Sequence, residues 1–275
     1  MKYGIDHIYI LTTANAKCRL DRVISELVRV GLITGAGDKD LSIVYGTRPK
    51  MFRHLIDNTS PLGNWYLNRK DAFVTCELSC TLWHYFMMQE AYERGFDRIM
   101  IVEDDELFVN DVDLFDRYMN DLSPTTDFAL LDWLPVTELW FFKSGDHYNM
   151  IKDAGYGWLD MKDFAVYGNS GCTIKNRRAI ESFLKLIESA WYHTGLKWAD
   201  EFKAIDRWQD QGVLGQLGIK SQIALPHLCV QDPRIGCQGG FKSGRMYKWY
   251  DVAYPYPRSI DFSRFNLTEE NDVKF

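Results

Sequence analysis

Apolar residues recur along this chain with two periods, and the changes between them predict an α/β fold. His7 to Thr12 alternates and then runs apolar, as a strand does, whereas from about Lys17 to Val30 the apolar residues recur at helical spacing. Leu41 to Tyr45 returns to a strand pattern. The opening segment is therefore predicted to be a βαβ unit.

The same patterns continue to about residue 225. Further helices are predicted at about Ala72–Gly95, Asn176–Ser189 and Asp206–Leu217, and further strands at Arg98–Val102, Phe128–Leu134, Val166–Ile174 (with a turn) and Ser221–Leu225. Thr47–Asp71 is predicted to be a loop or short helices. Glu138–Trp158, which has no clear period, is predicted to be a substrate-facing loop or lid. No internal repeat or low-complexity linker divides the chain.

The composition changes after Phe241, where Lys and Arg alternate with Tyr and Trp. We therefore divide the chain into a domain at 1–240 and a basic, aromatic C-terminal segment at 241–275 that packs on or beside it. Alternating cations and rings are typical of surfaces that follow phosphates and stack bases. The alternative is a segment that packs its rings on the domain and leaves its cations in water.

Net charge, cysteine spacing and the lack of long apolar runs exclude some classes of protein. The net charge of −6 argues against a protein that coats nucleic acid over its whole surface. Cys76 and Cys80 stand four residues apart, without the spacing of a zinc site, and a chain of 275 residues does not need disulfides, so the cysteines are expected to be reduced thiols. The N-terminus lacks a signal-peptide pattern and no apolar run spans a bilayer, so a cytoplasmic protein is expected.

Candidate chemistry lies where the apolar run beginning at Arg98 stops at four consecutive acids, Glu103 to Glu106. Side chains alternate along a strand, so Glu103 and Asp105 are expected to point to one side, and Asp104 and Glu106 to the other. Ligands of open α/β sheets bind at the carboxyl ends of strands. Two carboxylates there are suited to Mg²⁺ or Mn²⁺ together with the phosphates of a nucleoside diphosphate. The alternative is a solvated acidic turn.

Two motifs carry a resemblance to a known family. The order Glu77-Leu-Ser-Cys80-Thr-Leu-Trp-His84, a helix, and then Ile101-Val-Glu-Asp-Asp105 resembles glycosyltransferase family 25, which includes lipooligosaccharide and collagen galactosyltransferases. Trp83 stands where that family has Ser. The resemblance implies a GT-A-type fold, a Rossmann-like mixed sheet flanked by helices in a single domain with a C-terminal extension. It also implies a nucleotide-sugar donor, with a UDP-sugar expected, and a divalent cation, Mn²⁺ or Mg²⁺.

Site residues follow from the motifs and the chemistry together. Asp105 is the first expected metal ligand, Glu103 is expected to share the metal or to hold ribose hydroxyls, and His227 is a third candidate ligand whose alternative is an ordinary buried histidine. The candidate donor-binding residues are Thr12, Thr13, Arg19, Arg22, Glu77, His84, Glu103 and Asp104. The candidate general bases for an inverting transfer are Asp206, Asp210 and Asp132.

The acceptor is left open between two chemistries. The resemblance implies a saccharide, whereas the C-terminal segment also allows a hydroxylated base in DNA, as in sugar-modified viral DNA. A different class of function is a catalytically silent protein that binds carbohydrate or nucleotide and retains the fold. The sequence leaves the oligomeric state open.

Overall fold

A computed structural model describes residues 2–46, 72–135, 157–163, 166–168, 170–192, 209 and 211–232. Its helices are α1 (Lys17–Arg29), α2 (Ala72–Glu93), α3 (Val112–Asp121), α4 (Arg177–Tyr192) and α5 (Gln211–Gln216). Its strands are β1 (His7–Thr13), β2 (Leu41–Gly46), β3 (Arg98–Glu103), β4 (Glu106–Phe108), β5 (Phe128–Leu130), β6 (Trp133–Pro135), β7 (Gly157–Asp160), β8 (Val166–Gly168), β9 (Cys172–Asn176), β10 (Ser221–Leu225) and β11 (Cys229–Gln231). Short 3-10 helices lie at Lys2–Gly4 and Met161–Asp163.

The central element is a mixed sheet of seven strands in the order β2-β1-β3-β9-β5-β10-β7. β1 is parallel to β2 and β3, and β5 is parallel to β10, whereas β9 is antiparallel to both β3 and β5, and β7 is antiparallel to β10. Five strands therefore run in one direction and two run against them. This confirms the predicted α/β class with a mixed sheet flanked by helices.

Helices cover both faces of the sheet because its strands are apolar on both faces. Ile8 and Ile10 of β1 pack with α1 and α3, whereas Tyr9 between them packs with α2, α4 and α5. The alternation repeats in β3, where Met100 lies with the first group of helices and Ile101 with the second. The core thus has two layers separated by one sheet.

Most predicted elements are confirmed within a few residues. The βαβ opening, the long helix α2, the acidic strand β3, the helix α4 and the strand β10 all form. α2 is followed by Gly95 at φ +76°, a left-handed conformation in which the missing side chain removes the steric cost. The segments 47–71, 136–156 and 241–275 lie outside the described residues. The last two residues of the loop predicted at Glu138–Trp158 are described, and they belong to strand β7, which corrects the end of that loop.

Two predictions about the elements need correction. The strand predicted over Phe128–Leu134 is broken into β5 and β6, because the Leu131 carbonyl accepts hydrogen bonds from the amides of Leu228 and Cys229 and the chain then pairs with β8. The helix α3 was not predicted. Its signals are present, since Asp111 caps it by accepting a hydrogen bond from the Leu114 amide at 2.9 Å.

Within the described residues, none of the helices is both long and apolar enough to cross a lipid bilayer.

Lys175 is the most unusual charged residue of the core. It lies in β9 with no exposed surface, and its Nζ lies 5.2 Å from the centre of the Phe128 ring. Its ammonium group donates a hydrogen bond to Thr173 Oγ1. Burial lowers the pKa of Lys175 to about 7, because a charged amine is poorly solvated among apolar side chains.

Lys175 is therefore predicted to make the protein less stable below neutral pH. The folded pKa of about 7 is below the unfolded value of 10.5, so the unfolded chain binds more protons between these values and stability rises with pH across that window. Lys175→Met should raise the free energy of unfolding by about 3–5 kcal/mol at pH 6. The gain should fall towards zero near pH 10.

Urea denaturation of both proteins at several pH values tests this prediction. Lys185→Met, on the exposed side of α4, is the matched control and should show no comparable pH-dependent gain. A gain that is equal at pH 6 and pH 10 would show that burial of the Lys175 charge is not its cause.

A buried acidic site at the carboxyl edge of the sheet

The topology brings the candidate residues to one edge of the sheet. β1, β3, β5 and β10 run in one direction, so their carboxyl ends lie together. β1 ends at Thr13, β3 ends at Glu103, Asp132 follows β5 and His227 follows β10. These candidate residues lie at the carboxyl ends of the strands, and binding of a ligand at this edge stays a prediction.

Three of the four consecutive acids are buried and the fourth, Glu103, is only partly exposed, so the acids are not a solvated turn. Asp104 is 6% exposed, Asp105 9% and Glu106 0%, which excludes the alternative of a surface acidic loop. The chain leaves β3 at Glu103 and enters β4 at Glu106, so Asp104 and Asp105 form a turn. The expected pairing of Glu103 with Asp105 on one side is wrong, since Glu103 contacts α2 and Asp105 contacts β11.

Glu103 is held by three donors that share one of its oxygens. Oε1 accepts hydrogen bonds from Ser170 Oγ at 2.7 Å, His84 Nε2 at 3.2 Å and Cys80 Sγ at 3.3 Å. Burial acts to raise the pKa of Glu103, but these donors outweigh it and leave the pKa below its usual value. Burial lowers the pKa of His84, so a neutral imidazole donates to an ionised carboxylate.

Asp104 has both a hydroxyl group and a guanidinium group as side-chain partners. Its Oδ2 accepts a hydrogen bond of 2.6 Å from Thr12 Oγ1, and its Oδ1 lies 3.5 Å from Arg19 Nε. Arg22 donates to the Asp104 carbonyl at 3.1 Å and to Asp232 Oδ2 at 2.7 Å. Both arginines predicted to bind the donor therefore have protein acids as their described partners. Binding of donor phosphates by Arg19 and Arg22 stays a prediction.

Within the part of the chain that the structure describes, Asp105 has one carboxylate oxygen with a hydrogen-bond partner and one without. Its Oδ2 accepts a hydrogen bond of 2.7 Å from Gln231 Nε2, whereas its buried Oδ1 has no hydrogen-bond partner among the described residues. Burial, followed by the nearby charges of Glu103 and Asp104, raises the pKa of Asp105 to about 7. An ionised Asp105 therefore favours a neighbouring positive charge.

Glu106 and Asp132 extend the acidic site beneath the turn. Burial, then the charges of Asp132 and Asp105, hold the pKa of Glu106 well above its usual range. A Cβ at Gly171 would lie 1.7 Å from Glu106 Oε1, so a side chain at position 171 would require Glu106 to move. Asp132 is fully buried, and its Oδ2 accepts a hydrogen bond from the Gln231 amide at 3.2 Å.

His227 lies at the predicted edge but packs against its neighbours. Its ring stacks on Trp133 at 4.7 Å between ring centres, and its Nε2 donates to the Trp133 carbonyl at 2.9 Å. The same nitrogen lies 3.9 Å from Asp132 Oδ1. Burial lowers the pKa of His227 to about 4, so the ring is neutral and Nδ1 would be the nitrogen to ligate a metal.

One group of metal-ligating atoms forms within the described residues, and it differs from the predicted set. The ligand atoms of Cys80, His84 and Glu103 lie within 4.8 Å of one another. This group was missed from the sequence because Cys80 was compared with Cys76, four residues before it, whereas the structure brings together Cys80, His84, four residues after it, and Glu103. The predicted metal ligands did not include Cys80 or His84.

Other site residues differ in how far the structure describes them. Thr13 lies at the end of β1 with a buried hydroxyl. Glu77 lies on α2, but its side chain is outside the described residues, as are Asp206 and Asp210. Ser170 and Asp232 were missed from the sequence, since neither has a motif that marks it as a partner of Glu103 or Arg22.

Trp83, at the position where the resemblance to family 25 would place serine, packs beside the candidate site. Position 83 lies on α2, and a Cβ on Gly46 at the end of β2 would lie 3.3 Å from Trp83 Cδ1. The indole therefore packs close to the carboxyl ends of β1 and β2. The Trp83 side chain is therefore a packing contact beside the candidate site.

Comparisons with known proteins show a distant likeness. No model of a known protein family matches the chain, and no curated protein matches its sequence. Among solved structures, a glycosyltransferase involved in glycosylation of the major capsid of PBCV-1 is similar, with 9% identity and a TM-score of 0.43 over 88% of this chain and 99% of the other. The galactosyltransferase LgtC, solved with donor and acceptor sugar analogues, has 9% identity and a TM-score of 0.40 over 91% of this chain and 98% of the other.

The Arg22–Asp232 pair is predicted to hold the acidic turn in place. Arg22→Met should lower the free energy of unfolding by about 3–5 kcal/mol, because it removes the cation from a buried carboxylate. Arg117→Met, at an exposed position on α3, is the control and should change it by no more than about 0.5 kcal/mol. Urea denaturation measures both variants. Equal, small losses would contradict this role of Arg22.

Proposed function

We propose that the chain is a glycosyltransferase that moves a sugar from a nucleoside-diphosphate sugar to a hydroxyl acceptor. The observation that carries the proposal is the Asp105 carboxylate, buried at the carboxyl edge of parallel strands with one oxygen unpartnered among the described residues. Edges of this kind bind nucleotides in open α/β sheets. The resemblance of two motifs to glycosyltransferase family 25 supports the same activity.

The residues at this edge fit a hard divalent cation. Asp105 offers an oxygen ligand whose pKa is raised by burial and then by the neighbouring charges of Glu103 and Asp104. Mg²⁺ or Mn²⁺ is commonly held by one or two carboxylates plus substrate phosphates. Asp104 is already paired with Arg19 and Thr12, so Asp105 is the ligand we propose. When bound, the cation would neutralise charge on the departing diphosphate.

The protein's own groups would bind and orient the two substrates. The end of β1 at Thr12 and Thr13 lies beside the acidic turn, where it would meet the donor. Inversion requires a carboxylate that takes the proton from the acceptor hydroxyl as that oxygen attacks the anomeric carbon. Asp132 is the described candidate for this base, and Asp206 and Asp210 are the other candidates.

A UDP-sugar is the proposed donor and a saccharide the proposed acceptor. Both follow from the resemblance to family 25. A hydroxylated base in DNA is the alternative acceptor, and it rests on the basic, aromatic segment 241–275. A cytoplasmic location remains a prediction from the sequence.

Metal-dependent nucleotide binding through Asp105 is the first prediction of the proposed function. UDP with Mn²⁺ should raise the melting temperature of the protein, whereas UDP with a chelator should not, because a ligand that binds only the folded state stabilises it by mass action. Asp105→Asn keeps the size and shape of the side chain but removes the charge. This variant should lose the Mn²⁺-dependent shift while remaining folded.

A thermal-shift panel of nucleoside diphosphates and nucleotide sugars measures this effect. Asp121→Asn, at the exposed end of α3, is the matched control and should retain the shift. An unchanged Mn²⁺-dependent shift in Asp105→Asn would show that Asp105 does not hold the metal. No shift from any nucleotide with the folded protein would favour a silent carbohydrate-binding protein.

The role of Asp132 is the second prediction of the proposed function. Asp132→Asn should lower turnover by about 100- to 10,000-fold, the range that a general base contributes, while nucleotide binding is retained. Release of nucleoside diphosphate with saccharide acceptors and with hydroxymethylated DNA measures the rate. Turnover at the wild-type rate would exclude Asp132 and transfer the role to Asp206 or Asp210. Release that no acceptor stimulates would indicate hydrolysis, not transfer.

A further inference from the structure

We propose that Cys80, His84 and Glu103 form a binding site for a soft or borderline divalent cation, with Zn²⁺ as the fitting ion. The three side chains meet where α2 crosses the end of β3. The site is separate from the hard-cation site proposed at Asp105, and the inference does not depend on sugar transfer.

The distances between the ligand atoms fit a tetrahedral zinc site. Glu103 Oε1 lies 3.3 Å from Cys80 Sγ and 3.2 Å from His84 Nε2, and the three atoms lie within 4.8 Å of one another. Typical Zn–S, Zn–N and Zn–O bonds at tetrahedral angles place such ligands about 3.3–3.6 Å apart. An ion could therefore be bound with small side-chain movements.

Two of the groups that now donate hydrogen bonds to Glu103 could bind a metal ion in place of those hydrogen bonds. Ser170, His84 and Cys80 all donate to Oε1, although a carboxylate oxygen has only two lone-pair sites. A bound Zn²⁺ would replace the S–H and N–H donors. The thiol proton would leave to solvent and the imidazole hydrogen would move from Nε2 to Nδ1, so binding would release one proton per ion.

Two further features support a site built for an ion. His84 and Cys80 are separated by one turn of α2, which holds them on the same helix face, and Ser170 would keep its hydrogen bond to the ligating carboxylate. His84 has no exposed surface, whereas the Glu103 side chain is 22% exposed, so an ion has a path from solvent. Three protein ligands leave a fourth position for water or a substrate atom.

The ligand set also determines which ion is preferred. A thiolate and an imidazole favour Zn²⁺ strongly over Mg²⁺, which prefers oxygen ligands. The site would therefore fill with zinc in the presence of excess magnesium. A bound ion would join α2 to the strand that carries the acidic turn, in addition to the packing between them.

Metal binding by the full-length, reduced protein tests the proposal. After removal of metals with a chelator, the protein is titrated with Zn²⁺ in excess Mg²⁺ against a chromophoric zinc indicator, and separately with Co²⁺. We expect one zinc per chain at this site, and a cobalt spectrum with the thiolate charge-transfer band and tetrahedral d–d bands. Cys80→Ser should abolish the charge-transfer band and weaken zinc binding by more than the roughly 10- to 100-fold typical of losing an outer hydrogen-bond partner.

Three control variants separate this site from others. Cys18→Ser removes an exposed thiol and Asp105→Asn alters the proposed hard-cation site, so both should retain the zinc and the cobalt band. His84→Gln should lose both the zinc and the cobalt band. A loss in Cys80→Ser then cannot be attributed to misfolding of that one variant. Zinc binding that is equal in Cys80→Ser, His84→Gln and wild type would overturn the proposal, as would a cobalt spectrum without a thiolate band.

Discussion

Removal of four adjacent carboxylates from water is the constraint on which the rest of this structure depends. Burying an ionised carboxylate is costly unless it is paired or hydrogen-bonded. The fold provides different hydrogen-bond or ionic partners for each acid. Glu103 receives three hydrogen-bond donors, and Asp104 receives Thr12 and Arg19. Asp104, Asp105 and Glu106 still have raised pKa values, chiefly because they are buried, so negative charge at this edge is only partly compensated.

This partial compensation is what distinguishes a binding site from a structural ion-pair network. If Arg19 and Arg22 both faced Asp105, its carboxylate would be satisfied by the protein itself. They pair with Asp104 and Asp232 instead. These pairs fix the backbone of the turn, since Arg22 also holds the Asp104 carbonyl. The arginines thereby position Asp105 without neutralising it, and the remaining demand is for an added cation.

The sequence was sufficient to predict where the site lies. Periodicity identified α1, α2, β1 and β3, and the carboxyl-end rule placed Glu103 at the binding edge. The sequence could not predict which residues contact one another across the sheet. Ser170 lies 67 residues from Glu103 and Asp232 lies 210 residues from Arg22, and only the strand order brings them together. The prediction that Glu103 and Asp105 point to the same side was wrong, because the chain turns at Asp104 and side chains alternate only within a strand.

The break in the strand has a chemical consequence that a continuous strand would not allow. Side chains two residues apart on a strand share a face, so a continuous β3 would have placed Glu103 and Asp105 at a single site. The turn instead directs Glu103 towards the thiol and imidazole of α2, and Asp105 towards the amide of Gln231. One site offers soft ligands and the other offers oxygen. The two proposed sites would then select cations of two kinds within a few residues of chain, because softness and coordination geometry, not overall charge, decide which ion each ligand set prefers.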